Sequence, residues 1–440
     1  MKNKTNKGQL LWNEAISIIP GGNGLLSKRP DRYGKDIWPT YFSKAKGCYI
    51  WDLDNNAYID MAQNGMGTSI LGYADDDVNQ SVISAINNGI NTTLNAPEEV
   101  ELAERLLELN PSMGGVKFAR GGGEAMSLAV RIARTHTKKD KVMFSGYHGW
   151  TDWYLATNIS SDSNLDEHLL PGLEPSGVPS GLSGTAIPFK YNDIGNFKKV
   201  LDSNKDIGVV VFEGARYSLP SADFLKTIEI ESKKRGIVVI VDEITSGLRM
   251  STSGVYSLFN FNPDIVVYGK GLGNGFAISA VVGRKEVMDS AQDTFISSSM
   301  WTERVGFVAA LATLNKLSQH NVHQHLIEVG EYIGKGWLEL SKKHGLDISI
   351  TDFKPLITFK LNYDEDNNAI ATLFIQEMLK RGYLASTSVY VTYSHTIDIA
   401  KQYLKVVDEV FEIIVDAIAN QKILDLLETE MRSDMFKRLN

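Results

Sequence analysis

The sequence predicts an α/β protein: a large, mostly parallel central sheet covered by helices, with a smaller α+β domain formed from both termini. Three observations predict this. First, Gly208-Val209-Val210-Val211-Phe212, Gly236-Ile237-Val238-Val239-Ile240-Val241 and Asp264-Ile265-Val266-Val267-Tyr268 are short β-branched runs with no polar alternation, the pattern of strands buried on both faces. Second, residues 221–235 between the first two runs carry a polar-apolar helical pattern, and strands alternating with helices give parallel crossovers. Third, the two ends look different. Residues 45–61 read as a hairpin with Asp54-Asn55-Asn56 at its turn. From about residue 326 long amphipathic helices mix with short strands such as Leu356–Leu361. The division expected is 1–75 and 326–440 for the small domain and 76–325 for the large one.

Bulk properties agree. At 440 residues the chain exceeds a single core, since domains hold ~100–200 residues. It is 43% hydrophobic and 22% charged, the composition of a globular protein. No internal repeat or low-complexity linker interrupts it. The net charge of −8 argues against a nucleic-acid partner, which calls for a basic face. No apolar run approaches the ~20 residues needed to cross a bilayer, and the basic opening Met1–Lys7 leads into no apolar signal core. The single cysteine, Cys48, excludes an internal disulfide and a cysteine metal cluster. The cytoplasm is the expected location, with no metal and no membrane partner.

In parallel sheets ligands bind beyond the carboxyl ends of the strands. Here successive strands end in Glu213-Gly214, Asp242-Glu243 and Gly269-Lys270-Gly271, which bring two carboxylates and a lysine to one edge. Upstream, Lys117-Phe118-Ala119-Arg120-Gly121-Gly122-Gly123-Glu124 leads into a helical pattern. A strand, glycines and a helix start make a phosphate site, because free N–H groups and the positive helix end favour an anion; the plainer reading is a tight turn. Gly269–Gly275 lacks both the dinucleotide spacing and the P-loop Lys-Ser/Thr pair, so no nucleotide is expected there.

A lysine that condenses with an aldehyde must be partly deprotonated near neutral pH, which a buried position achieves. Lys270 follows an apolar strand among glycines. Asp242 ends another apolar strand, where a carboxylate needs a partner. A pyridine cofactor that serves as an electron sink needs such a carboxylate at its ring nitrogen. Either residue alone is more often structural; the pair is uncommon. Ser145-Gly146-Tyr147-His148-Gly149-Trp150 follows the strand-like Lys141–Phe144, and Tyr147 or His148 there offers a ring to stack on a flat heterocycle.

Taken together, Gly121–Met126, Tyr147-His148-Gly149, Asp242-Glu243-Ile244-Thr245-Ser246-Gly247-Leu248-Arg249, Gly269-Lys270-Gly271 and the opening Ile19-Pro20-Gly21-Gly22 resemble the class III (fold type I) aminotransferases that use pyridoxal 5′-phosphate (PLP). The likeness is closest to the glutamate-1-semialdehyde 2,1-aminomutase branch. The resemblance implies that Lys270 is the Schiff-base lysine and proton shuttle. It sets Asp242 against the pyridine nitrogen, with Ile244 and Tyr147 on opposite ring faces. It assigns the phosphate to the N–H groups of Gly122 and Gly123, and makes Glu213 and His148 cofactor-side residues. It also implies a homodimer in which the neighbouring subunit lends a hydroxyl to the phosphate; Ser299 is the match, with Thr302 second. The substrate carboxylate contacts of the aminomutase fall near Ser27 and Arg29.

Departures from the family pattern bear on the substrate. Its Ser-Gly-Thr loop is Gly121-Gly122-Gly123 here, its Glu-Pro is Glu213-Gly214, and its Gly-Asn-Pro after the lent threonine is absent. These changes argue against glutamate-1-semialdehyde. The expected activity is transfer of an amino group from an amino donor to a carbonyl acceptor, a sugar or other hydroxylated carbonyl being suggested by Trp38, Trp150, Trp153 and Tyr217. An intramolecular aminomutase and an amino-acid racemase or epimerase are the alternatives on the same scaffold.

Overall fold

The computed structural model describes residues 7–169 and 171–435, so the basic opening at 1–6 lies outside the described residues. The chain divides into two compact units, one running from Asp76 to Gln324, the other built from the residues before Asp76 and those from His325 onward. Among the described residues no helix is long and apolar enough to cross a membrane.

The larger unit holds a seven-stranded sheet. Its order is Gly115–Ala119, Ser279–Gly283, Ile265–Tyr268, Val238–Asp242, Ile207–Glu213, Lys141–Ser145, Ala186–Pro188. Ser279–Gly283 runs antiparallel to both its neighbours, and the other pairings are parallel. Every residue of Ile207–Glu213 and of Val238–Asp242 is buried, which is why these strands read as unbroken apolar runs. The helix Gly122–Thr137 packs Ala125, Leu128, Ala129 and Ile132 against Val209, Val211, Ile240 and Val267 of the sheet.

Local chemistry sets the element ends. The helix Ala222–Arg235 starts where the Ser221 hydroxyl accepts from the Phe224 N–H at 3.2 Å. Its last turn carries Lys233, Lys234 and Arg235, matched to the negative helix end. Gly236, expected in the next strand, instead stops this helix at φ +63°, a left-handed cap that glycine adopts freely, and the strand begins at Val238.

In the smaller unit Tyr49–Asp52 and Ala57–Met61 form the expected hairpin. The Asp52 carboxylate accepts from the N–H groups of Asp54 and Asn56, both at 2.8 Å, and fixes the turn. Tyr383–Ala385 pairs parallel to Ala57–Met61, so both ends of the chain share one sheet. A second sheet runs Ile348–Ile350, Leu356–Leu361, Ser388–Tyr390.

Candidate active site

Register puts the carboxylates side by side. Glu213 pairs with Asp242, and Asp242 with Val267, three residues before Lys270. Asp242 is buried, 4% exposed. Its Oδ1 accepts from the Ile244 N–H at 3.0 Å, and its Oδ2 lies 2.8 Å from Nδ1 of His148. The other ring nitrogen, Nε2, lies 3.1 Å from the Ser145 carbonyl, which can only accept. Nε2 therefore carries the hydrogen in that contact. Trp153 stacks on the His148 ring at 6.2 Å and 23°. The expectation that His148 offers its face to a flat ligand is corrected: it is buried behind Asp242, with both nitrogens engaged.

Lys270 opens the turn Lys270–Gly273 after the strand Ile265–Tyr268. Its φ of +41° is left-handed, a conformation that costs a non-glycine residue about 1–3 kcal/mol. Its Nζ donates to the Thr245 hydroxyl at 2.7 Å. Burial pushes the ammonium down to about 7, and the Arg216 and Arg249 cations add to this against the opposing pull of Glu213 and Asp242. Near neutral pH a large fraction of this amine is a nucleophile.

The helix Gly122–Thr137 opens onto the same edge. Glu124 Oε2 accepts from the N–H groups of Arg120 at 2.9 Å and Gly121 at 3.3 Å. The N–H groups of Gly122 and Gly123 follow, in the first turn where no intrahelical acceptor exists. A Cβ at Gly122 would stand 3.1 Å from Ile244 Cδ1, and one at Gly123 would stand 3.4 Å from Trp150 Cδ1. Gly149, at φ +104°, rests on Gly123 so closely that a Cβ there would stand 2.6 Å from the Gly123 Cα. The Tyr147–Gly149 turn is thus packed onto the glycine cradle. The Tyr147 N–H donates to Glu213 Oε2 at 3.1 Å, Glu213 Oε1 pairs with Arg216 at 3.0 Å, and the Arg216 guanidinium lies 5.6 Å from the Tyr147 ring centre.

The family model for aminotransferase class-III matches residues 32–418. The chain belongs to the class-III aminotransferases. It is 29% identical over 408 residues to a 3-aminobutyryl-CoA aminotransferase of Cloacimonas acidaminovorans (strain Evry), covering 90% of this chain and 94% of that one. It is 29% identical to a 2′-deamino-2′-hydroxyneamine transaminase of Streptomyces kanamyceticus, covering 89% and 96%. A glutamate-1-semialdehyde 2,1-aminomutase of Thermodesulfovibrio yellowstonii (strain ATCC 51303 / DSM 11347 / YP87) is 33% identical over 78% of this chain and 81% of its own. The fold matches the PLP internal aldimine form of FumI from Sphingopyxis sp. MTA144 with a TM-score of 0.85 at 22% identity, covering 97% and 98%.

A class-III aminotransferase uses PLP, and the residues at this edge fit that group. A phosphate suits the glycine cradle, which any Cβ would narrow. A protonated ring nitrogen suits buried Asp242, and an aldehyde suits Lys270. Gly122, Gly123, Tyr147, Glu213, Asp242, Ile244 and Lys270 are thus brought together. Ser299 and Thr302 sit apart, in an exposed turn Ser299–Thr302 of the aminotransferase's larger unit, where Thr302 Oγ1 donates to the Ser299 carbonyl at 3.2 Å. Ser27 and Arg29 belong to the smaller unit. Arg29 is buried there and forks onto Asp31 at 2.7 and 3.0 Å, so its guanidinium is directed at a neighbour within that unit. Of the four aromatics, Trp153 lies under His148 and Trp38 stacks on Tyr33 at 4.1 Å, while Trp150 and Tyr217 are exposed.

Sequence reading gave no role to Thr245, Arg216 or Arg249. Thr245 sits three residues after Asp242 in the same turn, a spacing that signals a shared site. Arg216 sits three residues beyond a strand-ending glutamate, the spacing of an ion pair that closes a turn. Arg249, fully buried with its Nε donating to the Thr245 carbonyl at 2.8 Å, had no local signal: its burial depends on the tertiary packing.

Proposed function

We propose that Lys270 carries the cofactor and that Asp242, His148, Tyr147, Ile244 and the Gly122–Gly123 cradle hold it for amino transfer. One observation carries the reading: a lysine amine brought to about 7 stands at the same sheet edge as a buried, partnered aspartate. When bound, PLP supplies a conjugated ring that takes up the electron pair left as a proton leaves the carbon bearing the amino group. Asp242 keeps the proton on the ring nitrogen, and His148 holds Asp242 in place. Lys270 would hold the cofactor aldehyde, and its amine, about 7 in pKa, would carry the proton between the donor α-carbon and the cofactor C4′. Thr245 directs the Lys270 amine through its hydroxyl. Tyr147 and Ile244 would hold the ring between them, and Glu213 anchors Tyr147 through its N–H.

The acceptor we infer is a hydroxylated carbonyl compound of the sugar class. Support comes from the named substrate of the Streptomyces relative and from Trp150 and Tyr217, 74% and 50% exposed beside the cradle and Arg216, as surfaces for a polar ring. The enzyme acts as a homodimer with shared sites, Ser299 or Thr302 being lent to the neighbour's phosphate. Support comes from the apolar side chains left open on the larger unit, Phe295 at 86%, Leu94 at 80% and Met300 at 55% exposed. Lone, buried Cys48 supports a reducing cytoplasmic setting.

The test is borohydride fixation of the bound cofactor followed by peptide mapping. Label on Lys270 is expected, and Lys270→Ala should bind no cofactor covalently and lose turnover. Label on another lysine sinks the assignment. A half-reaction screen with amine donors then identifies the donor. An aminomutase is the second reading, favoured by the Thermodesulfovibrio relative. Nitrogen label passing from an external donor into product excludes it.

A further inference from the structure

Arg120 stands immediately before the glycine cradle. Its backbone forms the rim: its N–H donates to Glu124 at 2.9 Å, and its carbonyl accepts from the Ser279 hydroxyl at 3.3 Å. Its side chain points to a different part of the sequence. Nε donates to the Met300 carbonyl at 2.6 Å, Nη1 to Ala277 at 3.3 Å, and Nη2 to Trp301 at 3.1 Å and Glu303 at 2.5 Å. The guanidinium also lies 5.1 Å from the Phe307 ring centre and 3.8 Å from the Glu303 carboxylate. Four carbonyls around one guanidinium is a task for arginine alone, since its planar fork presents five donors in fixed directions and a lysine presents a single point. The fold makes room for it: a Cβ at Gly306 would collide with Arg120 Nη1 and stand 2.8 Å from the Ala277 carbonyl.

Three of these carbonyls lie in or just after the turn Ser299–Thr302. Residues 294–298, which lead into it, belong to no helix or strand, and Ser297, Ser298, Ser299 and Met300 are exposed. Arg120 therefore holds the turn's carbonyls, alongside Trp301 packed on the core and the helix Arg304–Gln319, whose Val305 N–H donates to the Glu303 carboxylate at 2.7 Å. We propose that Arg120 is a positioning residue that ties the phosphate cradle of its own subunit to the hydroxyl turn lent to the neighbour, so that removing it weakens cofactor binding in the other subunit's site. This rests on the dimeric, shared-site reading above and deepens it. The chemistry is backbone placement: Arg120 presents the turn, and Ser299 or Thr302 reaches the phosphate.

Mixed dimers test this. Two differently tagged chains are purified as a pair, and PLP is titrated while the visible absorbance of lysine-bound cofactor is read. In the first pair Arg120→Ala and Lys270→Ala share one chain and the other chain is wild type. The only attaching site then receives its turn from the chain lacking Arg120, and its Kd for PLP should rise by about tenfold or more, as loss of several charged hydrogen bonds implies. In the second pair Arg120→Ala is on one chain and Lys270→Ala on the other. The attaching site now has an altered rim but an intact lent turn, and its Kd should stay close to wild type. The reverse pattern, equal defects in both pairs, or no defect in either overturns the proposal. Arg120→Lys, which keeps the charge and most of the stem, repeats the comparison should Arg120→Ala fold poorly. A wild-type chain that sediments as a monomer, or that takes borohydride label away from Lys270, fails the underlying reading instead, and both are seen before any Arg120 variant is made.

Discussion

Asp242 and Glu243 are adjacent carboxylates at the end of one strand, both buried, yet they occupy opposite kinds of pocket. Asp242 faces the site and meets an ionisable partner, His148 Nδ1 at 2.8 Å. Glu243 faces away and meets neutral ones, the Ser246 hydroxyl at 2.5 Å and the Tyr256 N–H at 3.1 Å. Gly214 and Gly254 wall it in, since a Cβ on either would stand within 2.5–2.6 Å of its carboxyl. Burial pushes Glu243 up to about 7 against the hydrogen bonds that pull it down. Burial alone therefore does not mark a functional acid. The partner does: a carboxylate given a proton-bearing neighbour can hold charge beside a cofactor, whereas one given a hydroxyl and an amide tends to keep its own proton.

The largest effect that would break this contrast belongs to Asp242→Asn. The amide keeps the shape and can still face His148, so PLP should bind, but the ring nitrogen loses its anionic partner. Turnover should fall on the order of 10²–10⁴, the scale of a misdirected proton, with cofactor content measured in parallel. An Asn variant with near-normal turnover would mean that Asp242 is structural, like its neighbour. Arg216→Met comes next. Removing this cation takes away a charge that lowers Lys270 and leaves Glu213, which raises it. Capture of PLP by the apoenzyme, followed against pH, should have its midpoint near 7 in the wild type and at higher pH in the variant. An unmoved midpoint would remove Arg216 from the lysine's surroundings.

The contrast also explains what could be read from sequence. The strands, the helix 221–235 and the hairpin were legible because apolar runs and turn residues are local signals. Lys270, Asp242 and Gly121–Gly123 could be singled out as candidates because they sit at strand ends and in family motifs. His148 was offered beside Tyr147 as a stacking candidate and instead turns beneath Asp242, since nothing local distinguishes a ring that stacks on a ligand from one that meets a carboxylate. Arg120 and Arg249 were invisible for a related reason. Their partners lie in distant or backbone groups, the carbonyls of Met300, Trp301 and Glu303 for one and of Thr245 for the other, and carbonyls have no sequence signature. The Gly236 error was local: a helix cap and a strand start compete for the same glycine.

The smallest effect tests the other half of the comparison, through stability. Glu243 binds its proton more tightly folded, at about 7, than at its ordinary 4.5. The sign follows. Its contribution is fully present below about 4.5 and is lost as pH rises through about 7, because the folded protein must then give up the proton or bury a charge. Glu243→Gln imitates the protonated form, keeping an oxygen that can accept from Tyr256 and an amide that can donate to Ser246. Its Tm relative to wild type, at one fixed scan rate because a chain of two units can unfold irreversibly, should therefore improve on going from about pH 5 to about pH 8. Turnover should change little, since no partner of Glu243 described above touches the cofactor edge. The same Tm difference at both pH values would show that Glu243 does not hold its proton more tightly in the folded protein, and the distinction between the two pockets would be lost.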